Sequence, residues 1–320
     1  EAFGTGALKS NTTGIQNSAV GVSALYSNTT GNSNSAVGVN ALYSNTTGAQ
    51  NSTVGVNALY SNTTGNYNSA VGFQALYSNT TGASNSAIGM YALRTNTTGS
   101  NNSAVGYNTL YYNTTGSYNS AIGTNALNAN TTGNYNSAMG YASLYYNTTG
   151  NYNSVVGMNA LYYNTTGSNN SAMGYNALNA NTTGYQNSAM GVYALNANTT
   201  GNYNSAMGVN ALYSNTTGSG NTAISPINSA GAYAPVFDPT TENNRFCMGS
   251  TGVTNAYIQV AWTVVSDARD KTDFAPVPHG LDFVSKLKPT AYRYKIDRDA
   301  TEGHGPVRYG FKAQDVLALE

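Results

Sequence analysis

From Asn11 to Asn228 the apolar side chains return every seventeen residues within a background of Asn, Ser, Thr and Gly. Counted from the Asn of each Asn-Thr-Thr, the unit reads N-T-T-G-x-x-N-S-A-V-G-x-x-A-L-x-x. Thirteen copies follow one another, the first starting at Asn11 and the last at Asn215, without an insertion. Position ten is Val, Ile or Met in every copy. Position fifteen is Leu from Leu25 to Leu212 and Ser229 in the last copy, so the array is expected to end near there. Seventeen residues are too few for two helices and a turn, and Asn, Thr, Ser and Gly are poor helix formers. One coil of a parallel β-solenoid fits the length instead. Asn-Ser-Ala-Val-Gly is predicted as one short strand and Ala-Leu-x-x as a second. Asn-Thr-Thr-Gly and the Gly at position eleven supply the corners, where left-handed backbone is needed. Stacked coils set like residues above one another at about 4.8 Å, so Asn, Ser and Thr columns can form hydrogen-bonded ladders along a rod of roughly 60 Å.

The same pattern bears on assembly. Ala36 and Val37 are adjacent and apolar, yet neighbours in a strand point to opposite faces. One face packs inside the coil, and the other is expected to meet a symmetric copy of the chain; Ala41 and Leu42 repeat the argument. A solenoid that stays a single chain is the alternative. Tyr is scattered over positions six, twelve, thirteen, sixteen and seventeen, outside the invariant core. Exposed Tyr can stack on sugars or cover a neighbouring chain, and covering is the expected role. Asn-Thr-Thr is also an acceptor pattern for N-linked glycans, against which stands the plainer role of corner and ladder.

Composition narrows the function classes. Of 24 charged side chains among 320 residues, only Glu1, Lys9 and Arg94 precede residue 229. The long neutral segment cannot neutralise phosphates, so no nucleic-acid partner is expected. With 27 Tyr it is not a disordered tract either. No run of eighteen apolar residues occurs, so no membrane insertion is expected. The lone Cys247 has no internal disulfide partner, and His279 and His304 have no zinc spacing. A loop at Asp297–Gly303 places Glu302 where a calcium loop needs Gly. Neither a metal nor a cofactor is expected.

After Ser229 the pattern breaks. Pro226, Pro235 and Pro239 mark a linker, and Arg-Phe-Cys-Met-Gly and Ala-Tyr-Ile-Gln-Val-Ala-Trp-Thr-Val-Val read as strands. Three domains are therefore expected: a shaft over residues 1–228, a linker and β-rich junction over 229–265, and a small α+β segment over 266–320, giving a mostly β chain. Glu1 to Ser10 fit the end of a fourteenth unit, so the sequence is expected to be a piece of a longer fibre.

Two resemblances follow from these residues. Asn-Ser-Ala-Val/Ile-Gly with the following Ala-Leu pair resembles the head repeats of trimeric autotransporter adhesins over residues 11–228, although the unit here is longer. That resemblance implies a trimeric parallel β-roll. Ser266-Asp267-Ala268-Arg269-Asp270-Lys271, then Gly280-Leu281-Asp282-Phe283-Val284, Leu287-Lys288-Pro289-Thr290, and Gly310-Phe311-Lys312-Ala313-Gln314-Asp315-Val316 are similar, in the same order, to the S74 peptidase family. These are intramolecular chaperones of phage tail fibres and tailspikes. This resemblance implies cleavage of the Val265–Ser266 bond, once per chain, by a dyad of Ser266 as nucleophile and Lys271 as base. Asp267, Arg269, Gly280, Leu281, Pro289, Gly310, Phe311 and Gln314 complete the signature. The chain stops soon after its last element, so the chaperone is expected to be cut short at Glu320. The reading is a homotrimeric tail-fibre protein of the virion, attaching to a glycan or protein receptor on the host surface. A bacterial trimeric adhesin or extracellular fibril without catalysis is the alternative. A glycosidase is disfavoured, because residues 11–228 hold no carboxylate pair.

Overall fold

The computed structural model describes residues 1–253, 286–295 and 303–310. The chain divides into two units, Glu1–Gly252 and Val253–Glu320. In the first, three-residue strands recur once per repeat from β2 (Ser18–Val20) to β14 (Thr222–Ile224), preceded by β1 (Ala2–Phe3) and followed by β15 (Phe246–Met248). Each pairs in parallel with its sequence neighbour, Ser35 on Ser52 and Val37 on Val54 for example, in one fifteen-stranded sheet. The repeat is thus one coil of a parallel β-solenoid.

The second predicted strand, Ala-Leu-x-x, is a turn instead. Leu42 has φ of 52°, and the Leu of every other full coil is likewise left-handed. In an extended strand Ala41 and Leu42 would face opposite ways, whereas here both are fully buried inside the coil. The left-handed conformation costs roughly 1–2 kcal/mol, and burying the Leu side chain returns about 1.5–3 kcal/mol. The turn still bonds to the next coil: the Leu42 amide donates to the Ala58 carbonyl at 2.9 Å and the Ser44 amide to the Tyr60 carbonyl at 3.0 Å.

The remaining interior is polar. Asn45 donates from Nδ2 to Asn28 Oδ1 of the preceding coil at 2.8 Å and to the Gly48 carbonyl at 2.9 Å. At position seven, Asn34 Oδ1 accepts the Asn51 amide at 3.0 Å, while Asn51 Nδ2 donates to the Gly65 carbonyl at 2.9 Å. Both columns are buried and repeat along the shaft, so the polar groups that a narrow coil cannot avoid burying are paired. Thr46 Oγ1 adds a bond to the Thr63 carbonyl at 3.1 Å. The Asn-Thr-Thr asparagines from Asn28 to Asn215 have no exposed surface. Their Nδ2 atoms, the ones an N-linked glycan would occupy, are used by this ladder.

The stack runs one coil past the sequence repeat. Thr216 donates its amide to the Thr240 carbonyl at 2.7 Å, and Asn221 Nδ2 reaches the Glu242 carbonyl at 2.7 Å. Cys247 takes the place of the position-nine Ala, opposite Ala223, and is buried. The step from Thr216 to Thr240 is 24 residues rather than 17, so the extra residues form an outward excursion at 226–238. Thr240-Thr241 and Gly249 preserve the spacing of positions two, three and eleven. The junction expected over 229–265 therefore begins as a final, widened coil of the shaft.

Candidate functional site

The expected cleavage bond and dyad, Val265, Ser266 and Lys271, lie outside the described residues, as do Asp267, Arg269, Gly280, Leu281, Phe311 and Gln314. Pro289 and Gly310 are described, and the fold brings them together. β16 (Thr290–Lys295) pairs antiparallel with β17 (Gly303–Gly310), with Thr290 opposite Gly310. Pro289 thus enters the hairpin at the end where Gly310 leaves it, so two signature elements 21 residues apart in sequence sit side by side. Pro at the first position outside a strand loses no ladder bond. The register shifts between Tyr292 and Tyr294, across from the stretch that contains Pro306, which has no amide to donate.

On the shaft, the outward residues form columns. Position ten points away from the core: Val37 is 41% exposed and Met190 48%. Position twelve, a variable x in the unit, stands beside it with Val39, Val56, Phe73, Met90, Met158 and Val209 all exposed. The two columns make a neutral apolar stripe along the shaft. Isolated exposed hydrophobics are ordinary, whereas here they recur coil after coil, with Thr124 the one small polar residue at position twelve of the full coils. The sequence pattern revealed the first column. The second becomes visible only when position twelve is aligned by residue class rather than identity.

Position sixteen carries a separate system. Tyr26, Tyr43, Tyr60 and Tyr77 stack with centroids 5.0, 5.1 and 5.2 Å apart and rings within 11° of parallel. The only two cations of residues 1–228 occupy this same position in the flanking coils. Lys9 Nζ lies 5.2 Å from the Tyr26 centroid and donates to its hydroxyl at 3.0 Å. That hydrogen bond holds the Lys9 pKa above its ordinary value. Arg94 lies 5.5 Å from Tyr77 on one side and 5.5 Å from Tyr111 on the other, with Nε donating to Gln74 Oε1 at 2.9 Å. Each end of the stack thus presents an aromatic face to a cation.

A second aromatic group lies farther along. Tyr145 and Tyr162 stack at 5.3 Å, Tyr146 and Tyr163 at 5.7 Å. Burial, reinforced by Tyr146, pushes the Tyr162 phenol up to about 12, so at neutral pH it is a hydroxyl that can donate. Among the described residues, no helix is long and apolar enough to cross a membrane, and no cluster of His, Cys, Asp and Glu could hold a metal ion. Neither a curated protein nor a solved structure matches the chain. Residues 266–319 match the model of the Peptidase_S74 family, the chaperone of endosialidase, and this match behind a parallel β-solenoid of seventeen-residue coils fits a tail fibre that carries its own chaperone.

Proposed function

We propose that the chain is a phage tail-fibre subunit whose shafts associate as a homotrimer, aligned by the chaperone segment, and that the mature fibre serves host attachment on the virion. The observation that carries this reading is the apolar stripe at positions ten and twelve, on the same chain as the chaperone match. Burial of such columns against sister chains contributes roughly 25 cal/mol per Å² of apolar surface. The repeat also explains the need for a chaperone. A slip by one coil places the same residues opposite one another, so side-chain chemistry alone discriminates poorly between registers. A trimerising segment at one end starts the chains level, and its removal leaves the assembled shaft kinetically trapped.

Removal needs one cut per chain. Ser266 Oγ adds to the carbonyl carbon of Val265 while the neutral Lys271 amine takes the hydroxyl proton. The carbon–nitrogen bond then breaks, with the proton returned to the Ser266 nitrogen, and water hydrolyses the resulting ester to free the Val265 carboxylate. A Lys can serve as base only when burial lowers its pKa toward neutrality, which trimer assembly would supply. The test combines intact-mass spectrometry with light scattering. Wild-type protein is expected to give a trimeric shaft and a fragment beginning at Ser266, whereas Ser266→Ala and Lys271→Ala remain whole. An uncut wild-type trimer removes the peptidase step, and a wild-type monomer removes the fibre reading.

A further inference from the structure

Along the shaft the outward face at positions thirteen and sixteen changes character after Arg94. Before it, the stacked Tyr26–Tyr77 column fills the face. Beyond it lies a groove of about 590 Å³ lined by Asn125, Ala142, Tyr145, Asn159 and Tyr162 among others, bordered by Tyr141 of the position-twelve column, with no charged side chain in its wall. A neighbouring groove of about 360 Å³ shares Asn125 and Tyr145 with it. The amide column of position thirteen is interrupted inside the first groove. Position thirteen is Asn in the coils on both sides, at Asn125 and Asn159, but Ala142 between them, which leaves a gap in the amide column.

The polar groups of this surface are only partly used. Asn179 Nδ2 donates to the Asn159 carbonyl at 2.9 Å and Asn128 Nδ2 to the Asn108 carbonyl at 2.8 Å, which fixes those side chains. The Asn125 and Asn159 carboxamides line the groove on either side of Ala142. Asn108 Oδ1, in the neighbouring groove, is buried without a partner. Carboxamides both donate and accept, as sugar hydroxyls do, and the Tyr145 and Tyr162 rings, stacked on one another at 5.3 Å, give the groove an aromatic wall against which the apolar face of a pyranose ring can pack. Successive coils repeat at about 4.8 Å, close to one sugar unit of an extended glycan, so consecutive units would meet equivalent positions of consecutive coils.

We propose that this groove binds an uncharged, extended oligosaccharide, with Tyr145 and Tyr162 as the stacking platform and Asn125 and Asn159 as the hydroxyl-reading amides. The ligand is neutral because the groove offers no cation to a carboxylate or phosphate. The proposal rests on the attachment reading and specifies its ligand class. The Tyr26–Tyr77 column, whose rings stack on one another at 5.0 to 5.2 Å, serves as the internal comparison.

The test uses the full chain, on which trimer formation and cleavage are measured first, so that failure of the fibre reading is seen separately. An array of uncharged oligosaccharides is probed, with sialic acid oligomers as the charged control, and calorimetry is run on each hit. At least one neutral oligosaccharide is expected to bind and the sialic acid oligomers are not. The Tyr145→Ala/Tyr162→Ala double variant should bind about tenfold more weakly. Ala142→Asn restores the residue found in the adjacent coils, so it should fold normally while closing the gap and weakening binding to a similar degree. Tyr43→Ala should leave binding unchanged. A cleaved wild-type trimer that binds no neutral glycan overturns the proposal, as does wild-type affinity in Ala142→Asn. Loss of the trimer in Ala142→Asn also overturns it, because the groove would then be covered by a sister chain.

Discussion

Two sets of columns run along the shaft, and they solve different problems. Inside, each group finds its partner one coil away in the same chain: Asn130 donates to Asn113 Oδ1 at 2.7 Å and Asn147 donates in turn to Asn130 Oδ1 at 2.9 Å. Outside, Val, Ile and Met at position ten and the large residues at position twelve stay about half exposed among the described residues. The inner columns hold one chain as a rod, and in the proposed trimer the outer ones are what that rod would associate through. The inner set is also the less tolerant. Its residue types hardly vary from Asn28 to Asn215, while position ten interchanges Val, Ile and Met and position twelve ranges from Val to Tyr.

The sharpest way to break the inner set is at position four. A Cβ at Gly133 would collide with Asn130 Oδ1, with the Gly150 carbonyl and with Asn147 Nδ2 at 2.9 Å, two members of the ladder and one of the backbone it is built on. None of these can move without disturbing the next coil. Gly133→Ala is therefore expected to cost about 3 kcal/mol of shaft stability. Denaturant unfolding should show the loss, and hydrogen exchange should place it in the coils around residues 113–150.

An outer change should separate association from folding. Met173 and Met190 are paired neighbours on the exposed column, 49% and 48% accessible. Met173→Lys/Met190→Lys places two charges on the stripe without touching the Asn ladders or the Leu column. The expected product keeps its β-sheet signal by circular dichroism but sediments as a smaller species than wild type. Unfolding of the coil together with dissociation would show that the single-chain interior does not suffice on its own.

How far the sequence reveals these two sets differs by residue. The strand at positions eight to ten and the burial of Ala and Leu follow from the period, because burial recurs where apolar residues recur. The left-handed turn at Leu42 does not follow, since Leu has no intrinsic preference for that backbone and adopts it only because the narrow interior rewards turning its side chain inward. The final coil at Thr240–Gly249 was hidden by the excursion at 226–238, which breaks the spacing while keeping the corner residues. The groove beside Tyr145 contains Ala142 where the coils on both sides have Asn, a departure that a consensus averages away. The expected cleavage dyad is legible only through its resemblance, for Ser before an acidic residue is as readily a helix cap.

The final coil offers the gentlest test, because there the ladder ends and a charge helps to hold it. Glu242 Oε2 accepts the Thr240 amide at 2.8 Å and the Thr241 amide at 3.1 Å. These backbone donors hold the Glu242 carboxyl below its ordinary value. The folded coil therefore binds the proton more weakly than the unfolded segment does. The stabilisation is complete above the ordinary Glu value of about 4.3 and fades as pH falls through the lower folded value. Because the side chain is exposed, the effect is confined to this last turn. Amide exchange at Thr240 and Thr241, referenced to Thr199 in the inner ladder, should show protection falling between pH 7 and about pH 3 in the wild type. Glu242→Gln should start with weaker protection at pH 7 and lose little more. Identical profiles in the two proteins would mean that the bonds from Thr216 and Asn221 hold the last coil without help from the carboxylate.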